Sequence, residues 1–235
     1  MEKQWNNFCR ELIDNGGYKD VLNGLLATVE IAVFGLIIGI IIGTLIAMVK
    51  VVPKYKILPR ILEKVVDVYV GFFRGTPMVV QLLLGYFVLL PLLKIAVDSI
   101  IVAIVIFGLN SGAYVSEIMR AGIQSVDSGQ LEAGRALGLS YGKTMMRIVI
   151  PQSIKNILPT LGNEFITLIK ETSVVSFIAV VDLTKAFRQI GTAHYEYLIP
   201  YVALAIVYLV LVSLIALLVK IIERRFKRSE RKQFN

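Results

Sequence analysis

From Val21 to Val49 the chain carries one charged side chain, Glu30, in an otherwise largely apolar stretch. A bilayer core about 30 Å thick is crossed by about 20 mostly apolar helical residues, so this run alone can span one. Four more runs follow: Val65 to Leu93, interrupted by Asp67, Arg74, Pro77 and Gln81; Ser99 to Met119; Ile157 to Val181, which holds Glu164, Lys170 and Glu171; and Tyr197 to Val219, clean apart from Pro200. The reading is an all-α polytopic membrane protein with about five transmembrane helices, at 21–49, 65–93, 99–119, 157–181 and 197–219. Composition agrees. Hydrophobic residues make up 56% of the 235 residues and charged residues 18%, and the mean hydropathy is +0.73. A soluble domain holds about 45–50% apolar residues with glycine included, and about 25% charged. So many apolar side chains cannot all be hidden inside one small globule, which excludes a soluble enzyme and a disordered chain. The lone cysteine, Cys9, excludes a disulfide scaffold.

Lys and Arg number 25 against 17 Asp and Glu, a net charge of +8. In a membrane protein such an excess marks the cytoplasmic loops. Lys50, Lys54, Lys56, Arg60 and Lys64 lie between the first two runs, opposed by Glu63. Arg120, Arg135, Lys143, Arg147 and Lys155 lie between the third and fourth, and Lys220, Arg224, Arg225, Lys227, Arg228, Arg231 and Lys232 close the chain. The link between the second and third runs has only Lys94 against Asp98. The N-terminus is therefore expected outside and the C-terminus in the cytoplasm, as an odd number of crossings requires. Residues 1–20 become an extracytoplasmic segment, 21–222 the transmembrane domain and 223–235 a basic cytoplasmic tail. The first 20 residues mix charges of both signs and lack a short apolar core, so no cleavable signal peptide is expected. The tail reads as a topology determinant that touches anionic lipid rather than nucleic acid. Within the first run Gly35, Gly39, Gly43 and Ala47 recur along one helix face, where small residues let a neighbouring backbone come close.

The segment 121–156 is too patterned to be a plain connector. Glu132-Ala133-Gly134-Arg135-Ala136-Leu137-Gly138 is followed, nine residues on, by Ile148-Val149-Ile150-Pro151. This resembles the EAA loop of ABC-importer permeases at every step of its spacing, with Gly134 where the pattern has a second Ala and Ile150 where it has Leu. Phe73-Arg74-Gly75-Thr76-Pro77 with Gln81-Leu82, Leu161-Gly162-Asn163-Glu164-Phe165, and Lys170-Glu171-Thr172-Ser173 resemble segments of the permeases for histidine, glutamate, glutamine, arginine and cystine. The resemblance spans about residues 20–222 and implies a type I ABC-importer permease fold in the bacterial cytoplasmic (inner) membrane. It also implies partners: ATPase subunits that bind the ATP and Mg, a second permease subunit (identical or not), an extracytoplasmic solute-binding protein, and an amino acid as cargo. Glu132, Ala133, Gly134, Gly138 and Pro151 become the ATPase-coupling residues. The loop has a physical logic of its own. Ala133, Ala136 and Leu137 are strong helix formers, Ser128 is placed to cap a helix starting near Gly129, Gly138 to end it, and Ser140-Tyr141-Gly142 to start another.

The chain itself is not expected to hydrolyse ATP. Gly138-Leu139-Ser140-Tyr141-Gly142-Lys143-Thr144 is one residue short of the phosphate-binding loop between its glycines, and no strand precedes it. No cofactor and no metal site are expected, since His194 and Cys9 lie outside the runs. A lone His194 on an outer loop reads as a surface residue. Ionisable groups inside spans are costly and so mark function. Arg74 and Glu164 fall at similar depth, and Gly75-Thr76-Pro77 loosens the helix beside Arg74. One cation and one anion match the two charges of an amino acid, Arg74 taking the carboxylate through two parallel hydrogen bonds and Glu164 the ammonium. Thr76, Gln81, Asn110, Ser111 and Asn163 would line that site. The other reading is that Arg74 and Glu164 pair with each other, or with Asp67 and Glu117, as interhelical glue. A secondary transporter driven by a proton or sodium gradient is the rival function, opposed by the loop spacing and by the lack of a second repeat.

Overall fold

The computed structural model describes residues 1–51 and 57–231, with 226–231 as backbone. Lys54, Lys56 and Lys232 lie outside the described residues, as do the side chains of Lys227, Arg228 and Arg231. Among the described residues the regular structure is all helical. In chain order it comprises α1 (Glu2–Cys9), a π-helical turn (Arg10–Asp14), α2 (Gly17–Val51), α3 (Ile57–Gly75), α4 (Met78–Leu83), a π-helical turn (Leu84–Leu89) and α5 (Leu90–Leu93). Then come α6 (Ser99–Gln124), α7 (Ser128–Ala136), α8 (Tyr141–Thr144), a π-helical turn (Met145–Val149), α9 (Ile150–Glu171), a 3-10 turn (Thr172–Ile178), α10 (Leu183–His194) and α11 (Leu198–Arg231).

Three of these helices are long and apolar enough to cross a membrane: α2, α6 and the stretch Leu198–Arg225 of α11. A fourth span exists if α3 and the run Met78–Leu93 are counted together, although they meet at 109°. Five spans were expected, and the shortfall has two physical causes. Residues 65–93 are not one continuous helix, because Pro77 has no N–H to give to the carbonyl a turn earlier and starts a new helix instead. Residues 157–181 are not one helix either. The α-helix stops at Glu171, where Thr172, Val174 and Val175 are poor helix formers, and the chain leaves its 3-10 turn through Ala179 at φ 67°.

The glycine stripe of α2 is its contact with α6. A Cβ on Gly35 would lie 3.0 Å from Phe107 Cβ, on Gly39 2.6 Å from Ser111 Oγ, and on Gly43 2.6 Å from Val115 Cγ1. The fit is reciprocal. Gly108 and Gly112 of α6 receive Ile38 and Ile42, whose Cγ2 atoms would stand 2.5 and 2.8 Å from an added Cβ. Two backbones this close gain dispersion contacts along their whole length, which is how helices associate when lipid is the alternative solvent. Around the seam, Ile31, Leu82, Phe107, Leu168, Ile169 and Val175 form the main buried cluster. α11 packs outside α9, with Gly162 giving way to Val219.

At the opposite end from the loop after α6, α10 is seated by Asp182, whose carboxylate accepts from the backbone N–H groups of Thr184 and Lys185, each at 3.0 Å. These two bonds cap the helix and hold down a carboxyl that burial pushes above its ordinary range. Gly24 of α2 lies against the Asp182 carbonyl, and Thr28 Oγ1 accepts from Leu183 N–H at 3.4 Å. The N-terminal helix closes the same end, its Phe8 buried with Leu183, Phe187 and Ile190. His194 is therefore no plain surface residue. Its Nε2 lies 2.9 Å from Glu11 Oε1 and 3.2 Å from Arg10 Nη2.

Candidate functional site

The helix break before α4 creates a local problem that the surrounding side chains solve. In a continuous helix the Phe73 carbonyl would accept from residue 77, which is proline, and the Thr76 carbonyl ends the turn with nothing after it. Gln81 reaches back from α4 and donates through Nε2 to Phe73 O at 2.9 Å, to Thr76 O at 3.0 Å and to Thr76 Oγ1 at 2.9 Å. Asn110 of α6 donates to the same Phe73 O at 3.2 Å and to Gln81 Oε1 at 2.9 Å. Both amide side chains are 4% exposed. α3 and α6 are tied a second time, in the opposite sense, by Tyr69 O–H donating to Leu109 O.

On the neighbouring positions of α6, Ser111 Oγ donates to Glu164 Oε1 of α9 at 3.0 Å, and the ring of Tyr114 lies 5.5 Å below the Arg74 guanidinium. Residues three apart on a helix are neighbours on its surface. So α6 presents, within one turn, a residue holding the anion and a residue holding the cation. Among the described residues no ion pair joins Arg74 to Glu164, or either of them to Asp67 or Glu117. Those two carboxylates have other partners. Lys50 bridges Asp67 at 3.1 Å and Glu117 at 2.9 Å, and Arg120 reaches Glu117 at 2.6 Å.

The structure thus gathers Thr76, Gln81 and Asn110 at the break and Ser111 with Glu164 beside it, with Arg74 in the last turn of α3 just before the bend. Asn163 is exposed on α9, its carbonyl accepting from Thr167 Oγ1 at 3.1 Å. Sequence reasoning missed Tyr114 and Tyr69. Tyr114 follows Asn110 by one helical turn, and that spacing was the available signal.

The loop after α6 folds as a helix, a tight turn and a second helix. Asp127, not Ser128, caps α7, its Oδ1 accepting from Gly129 N–H at 2.7 Å. Gly138 adopts φ +82° past the end of α7, where its N–H bonds Arg135 O at 3.0 Å and Leu139 N–H bonds Gly134 O at 3.1 Å. That pair of bonds is the Schellman closure, which needs a left-handed residue and therefore favours glycine. Ser140 caps α8, accepting from Lys143 N–H at 3.4 Å. Glu132, Ala133, Ala136, Leu137 and Gly138 are exposed, Leu137 at 82%. Gly134 is buried, because a Cβ there would stand 2.5 Å from Thr144 Cγ2. Pro151 follows directly on the Met145–Val149 π-helical turn, at the second residue of α9. The loop touches the far end of α2 through Tyr141 O–H, which donates to Val51 O at 3.3 Å.

Comparison with known proteins decides the family. The family described as "Binding-protein-dependent transport system inner membrane component" matches residues 35–228. The chain belongs to that family. Within it, the chain is a member of the polar amino-acid ABC permeases, inner-membrane components that carry no catalysis of their own. It is 42% identical over 210 residues to the arginine transport system permease protein ArtQ of Bacillus subtilis (strain 168), covering 89% of this chain and 94% of that protein. It is 40% identical over 205 residues to the putative glutamine transport system permease protein GlnP of Rickettsia bellii (strain RML369-C), covering 87% and 92%. The crystal structure of an amino acid ABC transporter with histidines superposes with a TM-score of 0.82 at 37% identity, covering 91% of this chain and 97% of that one. As a component of a binding-protein-dependent system, this permease works alongside ATPase and binding-protein partners.

Proposed function

We propose that this permease forms part of the translocation path of an ATP-driven amino-acid importer. The cargo's carboxylate is received at Arg74 and its ammonium at Glu164, and Glu132 to Gly138 carry the drive from the ATPase subunit. The observation that supports the site is that Arg74 of α3 and Glu164 of α9 rest on Tyr114 and Ser111, two neutral partners three residues apart on α6, and that neither charge is spent on the other. The names of the ArtQ and GlnP relatives support an amino acid as cargo.

The topology we propose has five crossings: α2, the bent α3–α5 unit, α6, α9 and α11, with the N-terminus outside and the C-terminus in the cytoplasm. α9 counts as a crossing because its 22 residues reach about 33 Å. A helix that packs among others and lines a polar path need not be apolar all round. The contacts support this arrangement. Asn7, Arg10 and Glu11 meet Glu196 and His194, both ends expected outside, while Val51 meets Tyr141, both expected inside.

Coupling follows from the shape of the loop. α7 and the Gly138 turn make a firm knob with an exposed apolar tip at Leu137, suited to a groove on an ATPase subunit. An apolar cavity of about 400 Å³ behind it, lined by Met48, Met119, Met145 and Met146, leaves room for the knob to shift against the spans. In this reading the two permease subunits, identical or not, alternate between inward- and outward-facing states as the ATPases close. The test is Gly138→Asp in the assembled transporter. An L-residue strains the +82° turn and a charge sits at the docking tip, so the protein should reach the membrane while loaded binding protein no longer stimulates ATP hydrolysis. Normal stimulation would overturn the coupling assignment.

A further inference from the structure

We infer that Gln81 and Asn110 are positioning residues rather than cargo ligands: together they clamp the break between α3 and α4, and through it hold Arg74 at the site. This rests on the reading of Arg74 and Glu164 given above for its functional consequence, but not for its geometry. The donor capacity of both amides is turned inward. Gln81 Nε2 faces three acceptors of the break, and Asn110 Nδ2 faces Phe73 O and Gln81 Oε1. The orientation of the Gln81 amide is fixed, since the reverse would set its oxygen against two carbonyl oxygens. Phe73 O is the carbonyl that Pro77 deprives of its helical donor, so one defect has two dedicated replacements, one from α4 beyond the bend and one from α6. Arg74 follows Phe73 directly, and its guanidinium is held over Tyr114, one turn along α6 from Asn110. The clamp and the cation are therefore set by the same turn of α6.

The consequence is a proton-dependent phenotype that a cargo ligand would not show. In Gln81→Glu the second carboxyl oxygen replaces the donor. Ionised, it repels Phe73 O and Thr76 O; protonated, it regains one donor, so the break should open at neutral pH and close on acidification. The titratable groups near the break are Tyr69 and Arg74 on α3, Tyr114 on α6 under Arg74, and Glu164 on α9, bonded to Ser111 next to Asn110. The Thr172–Ile178 turn packed against α4 carries no titratable side chain.

The experiment uses the assembled transporter in proteoliposomes, carrying Cys9→Ser and spin labels at Val68→Cys and Leu92→Cys, both sites 74% exposed, with labelled chain diluted by unlabelled chain. The label distance reads the bend with no cargo present. In Gln81→Glu it should broaden at pH 7.5 and return to the wild-type value near pH 5.5. Amino-acid uptake relative to wild type at the same pH should fall about tenfold and recover in parallel. Gln81→Met, which can never donate, should be impaired equally at both pH values. Asn110→Asp repeats the test from the α6 side if Gln81→Glu fails to insert. A wild-type distance in both acidic variants at both pH values would overturn the clamp. Unchanged uptake in Arg74→Ala would instead overturn the cargo reading, and the distance measurement would stand apart from it.

Discussion

Two sets of charges lie along α6, and they are handled in opposite ways. Near the end that leads into the coupling loop, Lys50, Asp67, Glu117 and Arg120 neutralise one another across α2, α3 and α6. Higher up, Arg74 rests on an aromatic face and Glu164 accepts from a hydroxyl, with no counter-ion bridging them among the described residues. A charge inside a membrane protein that already has its partner serves packing. One held only by neutral groups keeps its charge available for something else. Lys50, Asp67, Glu117 and Arg120 then hold helices together while Arg74 and Glu164 serve cargo in the proposed function, a distinction that mutation can break.

The largest effect is expected where the charge is uncommitted. Glu164→Gln and Arg74→Ala should each lower amino-acid uptake by about thirtyfold to a hundredfold at wild-type levels of membrane insertion, since each removes one charged hydrogen-bond partner of the cargo. Glu117→Gln should leave uptake within about threefold. Radiolabelled uptake in proteoliposomes measures all three side by side. Equal losses in all three variants would erase the distinction.

Stability should show the reverse order. Glu117 bridges two cations and is 21% exposed, so Glu117→Gln leaves Lys50 with Asp67 alone and Arg120 with only its bond to Gln124 Oε1. The expected cost is about 1–2 kcal/mol, reduced from a fully buried pair because Arg120 and Asp67 face solvent or lipid headgroups. Glu164→Gln keeps an oxygen for Ser111 and should melt close to the wild type. Thermal unfolding of the detergent-solubilised permease reads the difference.

How much of this was legible beforehand depends on the range of the interaction. The first and last spans, the small-residue stripe and the glycine turn at 138 are local patterns, written in side chains within a few turns of one another. A loosening of the helix at Pro77 was legible for the same reason, though not that the helix would end there and turn by 109°. What could not be read were pairings across the fold. Gln81 and Asn110 are 29 residues apart, Lys50 and Glu117 are 67 apart, and neither periodicity nor spacing carries information about which helix faces which. From sequence, Gln81, Asn110 and Thr76 read as lining the cargo site. That the break itself would occupy them became visible only once Phe73 O and Pro77 were seen to leave a defect. The fourth span was misjudged in extent because polar side chains there serve the interior, and a count of apolar residues cannot tell an inner helix from the end of one.

The smallest effect belongs to the ionic contact at the other end of the molecule, and it tests whether a paired charge outside the spans behaves as the Lys50 cluster does. Hydrogen bonding from Asn15 lowers the Glu11 carboxyl most; burial opposes it, and the hydrogen bond and charge of His194 with the charge of Arg10 leave the group below its ordinary value. A carboxylate whose folded-state pKa is depressed adds stability above its unfolded pKa and loses it as pH falls through the folded value. The unfolded value is near 4.5. The melting temperature of wild type should therefore exceed that of Glu11→Gln at neutral pH, and the gap should close as the pH is lowered through the mid-4 range and below. Uptake at neutral pH should be unaffected, since the contact only pins the N-terminal helix to α10. A gap that stayed constant as the pH fell through and below the mid-4 range would mean that the Glu11 carboxylate contributes nothing to the contact.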